Sequence, residues 1–325
     1  MMKAETKQSR VLVSGGAGFL GSNLCKRLLL NGKRVVCVDN FSTGSRENLS
    51  RFETHPLFQF IEADICDKLD LPPFDEIYNL ACPASPAAYQ KDPIQTLKTN
   101  VLGTLNLLEL ARASNAKFFQ ASTSEVYGDP KIHPQEEEYW GDVNPIGLRS
   151  CYDEGKRCAE TLCFDFYRLF QIPIKVGRIF NTYGPCMHPR DGRVISNFIV
   201  HALENEPLTL YGDGKQTRSF CYVKDLIDAI ILFMDSPSVV TGPLNLGNPE
   251  EWHVDDVAKL IIELTGSRSP LIYGPLPSDD PKVRRPDISR AQSTLNWQPQ
   301  VSLHEGVLET IRYFKEKKTA YAEIV

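Results

Sequence analysis

Tyr152 and Lys156 stand four residues apart in SCYDEGKRCAETLCFDFYRLF (150–170), whose apolar periodicity reads as a helix, so their side chains share one face. A tyrosine ionises near pH ~10 and is a poor base at neutrality. An ammonium beside it favours the phenolate, and the pair then makes a general base. Upstream, STSEVYG (122–128) offers Thr123, Ser124 and Glu125 between an apolar strand and a proline-rich loop. A second carboxylate at position 124 would form an acid/base pair with Glu125. The chain has a serine there, which narrows the reactions the site can run.

The elements that carry these residues alternate. Strands read at VLV (11–13), RVVCVD (34–39), FQFIEADI (58–65), FDEIYNLA (74–81), AKFFQAST (116–123) and IKVGRIF (174–180). Between them lie a helix with Leu20, Leu24 and Leu28 that stops at Gly32, one long helix over 93–114, and the helix over 150–170. This spacing predicts an α/β fold, a Rossmann-type doubly wound parallel sheet with a smaller C-terminal substrate-binding lobe. The cofactor domain is expected over 8–180, taking in about 222–248, and the lobe over 181–320. Beyond 180 the pattern loosens: NTYGPCMHPRDGRVISNFI and PLPSDDPKVRRPDISRA read as loops of the kind that build a substrate site.

Gly15, Gly16, Gly18 and Gly21 sit between the first strand and the first helix, where backbone amides approach a pyrophosphate at a helix N-terminus. Asp39 closes the second strand; its carboxylate would accept from ribose hydroxyls and repel a 2′-phosphate, so NAD is expected over NADP despite nearby Arg46. Asp64 is placed to meet the adenine edge. The expected cofactor contacts are Gly15, Gly18, Phe19, Leu20, Gly21, Asp39, Asn40, Phe41, Ser42, Asp64, Ile65, Leu80, Ala81, Thr99, Tyr152 and Lys156.

Composition excludes several classes. The net charge of −5 argues against a broad nucleic-acid surface, and no apolar run is long enough to span a membrane. The start, MMKAETKQSR, lacks a signal-peptide core, so a cytoplasmic location is expected. Nine scattered cysteines form no CxxC pair and read as reduced thiols, Cys82 among them; six dispersed histidines show no ligand spacing, so no metal is expected. QEEEYW reads as a solvated acidic loop.

GGAGFLG, STSEVYG and YDEGK together resemble the extended short-chain dehydrogenase/reductase superfamily. ACPASPAAY, TLKTNVLGTLN, HPQEEEYWGDVNPIGLRSCYDEGKRCAETL, RIFNTYGP, DGRVISNFI and QTRSFCYV extend a similarity to the UDP-glucuronic acid decarboxylases over almost the whole chain. The resemblance implies a tightly held NAD, a homodimer built through helices of the cofactor domain, and UDP-glucuronic acid as substrate with UDP-xylose as product. Thr123, Glu125, Tyr152, Lys156 and Arg284 are the implied catalytic residues. Tyr89, Lys98, Ser124, Asn181, Arg193, Arg218 and Arg284 are implied to bind substrate, with Arg285 an ambiguous neighbour; Tyr89 also reads as a core aromatic. Cys186 and His188 depart from the family pattern. Related sugar 4,6-dehydratases resemble TDE where this chain has Thr123, Ser124 and Glu125; their aspartate protonates a departing C6 hydroxyl. Glucuronic acid has no such hydroxyl, which accounts for Ser124. The implied route is C4 oxidation by NAD⁺ with Tyr152 as base, loss of C6 from the β-keto acid as CO₂, C5 protonation, and re-reduction by the retained NADH. Glu125 would orient a water for the C5 proton or disfavour the substrate's carboxylate in the ground state. Other readings are a UDP-sugar 4-epimerase, a 4,6-dehydratase and a non-catalytic NAD-binding sensor.

Overall fold

A computed structural model describes residues 8–275 and 283–322, without the side chains of 319–322. In chain order the elements are β1 (Arg10–Ser14), α1 (Phe19–Leu30), β2 (Arg34–Asp39), β3 (Phe58–Glu62), β4 (Glu76–Asn79), α2 (Pro86–Tyr89), α3 (Pro93–Lys98), α4 (Thr104–Ser114), β5 (Lys117–Thr123), α5 (Ser150–Phe170), β6 (Ile174–Ile179), β7 (Thr182–Tyr183), α6 (Val194–Glu204), β8 (Leu208–Tyr211), β9 (Thr217–Ser219), β10 (Cys221–Tyr222), α7 (Val223–Asp235), β11 (Leu244–Leu246), β12 (Glu251–His253), α8 (Val254–Thr265), β13 (Leu271–Gly274), α9 (Ser289–Leu295) and α10 (Leu303–Ala322).

Seven strands form one parallel sheet in the order β11-β6-β5-β4-β1-β2-β3. Valine-rich strands buried on both sides require cover on both faces. On one face Leu24 and Leu28 of α1 share a core with Leu226 and Ile230 of α7 and Ala291 of α9. On the other, Leu107 and Leu108 of α4 pack with Cys163 and Phe166 of α5. A separate core under the lobe joins Ile195 and Phe198 of α6, Leu208 of β8, Val257 and Ile261 of α8, and Val307 of α10. The strand order reverses between β1 and β4, and the crevice beyond their carboxyl ends is where such sheets take ligands.

Two expectations need correction. The single helix over 93–114 is three pieces, because a π-turn at Thr99–Gly103 separates α3 from α4. Small residues permit this: at Gly155 of α5 a Cβ would lie 2.9 Å from Asn100, so α5 packs directly on the widened turn. The stretch after 180 is also more regular than it reads. Ile195, Phe198, Ile199 and Ala202 recur at helical spacing and bury one face of α6, which begins inside DGRVISNFI. Of PLPSDDPKVRRPDISRA, residues 276–282 lie outside the described residues, as does the start of the chain.

Candidate active site

The glycine turn is shaped by contact. Gly15 has φ +68°, and a Cβ there would lie 2.8 Å from the backbone of Leu80 and Ala81; one at Gly21 would overlap the Gly15 carbonyl. Gly18 caps α1 with no side-chain hydrogen bond, and no acidic residue lies in the helix's first turn, so its amides and dipole face the crevice. Asp39 accepts from the amides of Ala17 at 2.9 Å and Phe41 at 2.8 Å; burial pushes its carboxyl up, and these bonds partly offset that. Asp64 accepts from Asn40 at 3.0 Å, from the Cys66 amide at 2.8 Å and from Gln95, missed in the sequence, at 3.1 Å; Thr99 joins this cluster through Gln95 and Cys66. The Ser42 amide donates to Asn40. Arg46 pairs with Glu62 and lies over Phe41. The Ile65 side chain is in the core against Gly103, so a cofactor contact at this position would fall to its backbone. A capless helix start, a turn closed to side chains and two fixed carboxylates fit a dinucleotide.

A cavity of about 360 Å³ continues from this crevice towards the lobe. Leu20, Leu80, Thr123, Ser124, Glu125, Tyr152 and Lys156 line it together with Tyr89, Asn181, Arg193, Arg218 and Arg284. Thr123 ends β5 and Glu125 sits in the single 3₁₀ turn that follows; Tyr152 and Lys156 are one turn apart on the buried face of α5. Lys156 donates to the Ala121 carbonyl at 2.9 Å and lies 5.7 Å from the centre of the Tyr152 ring; burial lowers its pKa. Burial pushes the Tyr152 phenol well up, while a hydrogen bond with Thr123 and the charge of Arg193 act the other way. The sequence-based expectation that Lys156 brings this phenol down is therefore not met by the chain alone. Desolvation is the larger effect. Cys82 lines the same cavity, where Asn100 donates to its sulfur at 3.1 Å and burial keeps it a thiol.

Glu125 is held between two arginines. One oxygen pairs with Arg284 and the other with Arg149, and all three side chains are largely buried. Arg149 escaped the sequence reading, although it sits three residues before Tyr152 and its carbonyl accepts the Tyr152 amide at 2.9 Å. Tyr89, 1 % exposed, stacks on Tyr152 with ring centres 5.0 Å apart; its hydroxyl and Arg284 Nη2 are buried polar atoms without a partner. Burial pushes Tyr89 up to about 12 and brings Arg284 down to about 10, so both keep their protons at neutral pH. Arg193 pairs with Asp191, which outweighs the effect of burial on its guanidinium. Arg218 on β9 donates to the Thr217 carbonyl at 2.8 Å.

Two further expectations change. Lys98 is exposed and does not line the cavity: α3 buries Thr96, and the turn after it buries Thr99 and Asn100, which leaves Lys98 on the opposite face. QEEEYW is not simply solvated, since Glu137 is buried and accepts the Asn245 amide at 2.8 Å. Arg285 stays outside the cavity, 3.6 Å from Glu251. Cys186 is buried with φ +73° and accepts from Arg51 at 3.4 Å, whereas His188 is exposed and accepts the Arg190 amide.

Residues 11–247 match the model of the NAD dependent epimerase/dehydratase family. The chain is 49% identical to UDP-glucuronic acid decarboxylase 1 of Xenopus tropicalis over 97% of its own length and 74% of the relative's. It is 53% identical to UDP-glucuronic acid decarboxylase 3 of Arabidopsis thaliana over 92% and 86% of the two chains. Among solved structures, it is similar to a UDP-glucuronic acid 4-epimerase from Bacillus cereus, solved with UDP-glucuronic acid and NAD, at TM-score 0.85 and 33% identity, covering 95% and 99% of the chains. An epimerase from Methanothermobacter thermautotrophicus aligns at TM-score 0.90 and 31% identity over 97% and 95%.

Proposed function

The chain belongs to the NAD dependent epimerase/dehydratase family, and within it to the UDP-glucuronic acid decarboxylases; on that premise we propose that it converts UDP-glucuronic acid to UDP-xylose and CO₂ with NAD as cofactor. The observation that carries this reading is the Arg149–Glu125–Arg284 clamp beside Tyr152, with two unpartnered donors, Tyr89 OH and Arg284 Nη2, left over for an acidic sugar.

The turn at Gly15–Gly21 and the start of α1 would hold the pyrophosphate, Asp39 the adenosine ribose, Asp64 the adenine edge, and Tyr152 with Lys156 the nicotinamide ribose. Bound there, NAD supplies a hydride acceptor for the sugar's C4 and returns the hydride at the end, so no net redox change occurs. Tyr152 accepts the C4 hydroxyl proton, with the Thr123 hydroxyl bonded to the phenol and fixing its direction. Oxidation at C4 makes C6 the carboxylate of a β-keto acid, whose electrons pass into the C4 carbonyl as CO₂ leaves. Arg284 holds the carboxylate, and Ser124 offers it a neutral donor. Both oxygens of Glu125 face guanidiniums, so the substrate's charge meets a neutralised group. That weakens the ground-state-repulsion role and favours Glu125 as the group that orients a water towards C5. Arg218, Arg193 and Asn181 serve the UDP moiety and the sugar.

Incubation with UDP-glucuronic acid, without and with added NAD⁺, tests the whole. UDP-xylose and CO₂ with no net NADH are expected. UDP-galacturonic acid without CO₂ would establish an epimerase instead, and a 4-keto-6-deoxy product from a neutral sugar a dehydratase.

Tyr89→Phe isolates one donor. The ring stack remains while a hydrogen bond to a charged group is lost, so KM for UDP-glucuronic acid should rise about tenfold. The melting temperature should hold or rise, because the hydroxyl has no partner in the chain. An unchanged KM would return Tyr89 to a packing role.

The homodimer belongs to the same proposal. Ile94 and Leu97 of α3, Leu102, and Leu169 and Phe170 of α5 are large exposed apolar side chains on the helical layer of the cofactor half, which supports pairing through it. Sedimentation should give twice the chain mass; a monomer at assay concentration would remove this part. Among the described residues no helix is long and apolar enough to cross a membrane, and we propose a cytoplasmic location.

A further inference from the structure

The contact between Glu125 and Arg284 joins two segments far apart in the chain, and a third residue bridges those segments. Asn245, in the middle of β11, is fully buried. Its Oδ1 accepts from the Tyr127 hydroxyl at 2.7 Å. Its Nδ2 donates to the carbonyls of Gln135 at 2.9 Å and Asp287 at 3.0 Å. Tyr127 closes the same short turn that carries Glu125, and Asp287 lies three residues beyond Arg284.

Gln135 fastens the arginine segment from the other side. Its amide donates to the Arg285 carbonyl at 2.8 Å, its carbonyl accepts the Asp287 amide at 2.9 Å, and its side-chain oxygen accepts the Arg285 amide at 2.9 Å. Arg178 adds bonds to the Tyr127 hydroxyl and the Glu137 carbonyl, both at 3.0 Å.

We propose that Asn245 is a positioning residue for decarboxylation: it sets the separation between the Glu125 turn and the Arg284 segment, and so aims Arg284 at the substrate's carboxylate. The inference rests on the proposed role of Arg284. Asparagine suits the task because one acceptor and two donors are needed at one buried point. Aspartate would set an oxygen against two carbonyls, and leucine would leave the Tyr127 hydroxyl without its acceptor and take a donor from each of the two carbonyls. The residue acts through Arg284 and touches no reacting atom.

A double-mutant cycle tests this. Asn245→Ala, Arg284→Ala and the double variant are assayed for turnover of UDP-glucuronic acid, with NAD binding and melting temperature measured alongside. Asn245→Ala is expected to lower kcat/KM roughly 10–100-fold, the scale of a misplaced catalytic group, and to leave NAD affinity within about twofold. With Arg284 already removed, the same change should cost less than about twofold, because nothing remains to position. An equal loss in both backgrounds, or none in either, overturns the proposal. If Asn245→Ala does not fold, Tyr127→Phe removes the hydroxyl that bonds Asn245, together with its bond from Arg178, and should show a several-fold loss with the same dependence on Arg284. Wild-type turnover in Arg284→Ala is a different failure, which removes the reading of Arg284 itself.

Discussion

Tyr152→Phe should lower kcat about 10³-fold while moving KM for the nucleotide sugar by less than about threefold, since general-base catalysis contributes roughly 10²–10⁴ and the ring itself is kept. The ring stacks on Tyr89 in either residue, so the cavity wall survives the change. The pH profile separates a lost base from a disturbed site. Burial raises the Tyr152 pKa, so the proton-accepting form gains population as pH rises, and kcat/KM of the parent enzyme should climb from neutral towards alkaline pH. Burial lowers the Lys156 pKa, so its charge is lost at a lower pH than for a free lysine, which limits the climb from above. The residual rate of the phenylalanine variant should be flat where the parent climbs. A variant that keeps the parent's acid limb would show that another group accepts the proton.

Arg284→Ala should be nearly as damaging, with kcat/KM for UDP-glucuronic acid falling about 10²–10³-fold, the range for truncating one member of a buried charge pair. Two effects combine. The substrate's carboxylate loses a buried, unpartnered donor, and Glu125 loses one of its two counter-charges. Arg284→Lys should recover little, because a point charge cannot bond Glu125 and a second carboxylate as a planar fork does. NAD affinity should be unchanged in both variants, as Arg284 lies on the lobe side of the cavity. Comparable turnover in the lysine variant would reduce Arg284 to a source of charge without geometry.

Much of the site was legible because its chemistry is local in sequence. The glycine turn, Thr123–Glu125 and the Tyr152/Lys156 pair each lie within one element, where periodicity and spacing translate directly into position. Arg149 was missed because its role depends on a turn of the neighbouring strand, and arginines at helix starts are common. The exposure of Lys98 and the burial of the Ile65 side chain escaped the sequence for a related reason: α3 turns Thr96 inward instead of Lys98, and the chain beyond the end of β3 at Glu62 carries Ile65 into the core. The desolvation of Tyr152 could not be read from its neighbours in the chain. It follows from how many elements close over it. The helices of the lobe were underestimated because glycine and proline in the preceding loops masked a clear apolar period in α6.

The return of β11 to the edge of the sheet has a consequence for how the enzyme is made. Strands β1 to β6 and the base pair on α5 have all been synthesised by Ile179, yet the seventh strand, with Asn245, follows only after part of the lobe, and Arg284 later still. At translation rates of ~5–20 residues per second, Arg284 trails Lys156 by roughly 10 s. The glycine turn and the proposed base are thus made before the arginine proposed to hold the carboxylate. A chain cut between the two would keep Tyr152 and Lys156 and lack both the sheet's edge and the arginine proposed to hold an acidic sugar.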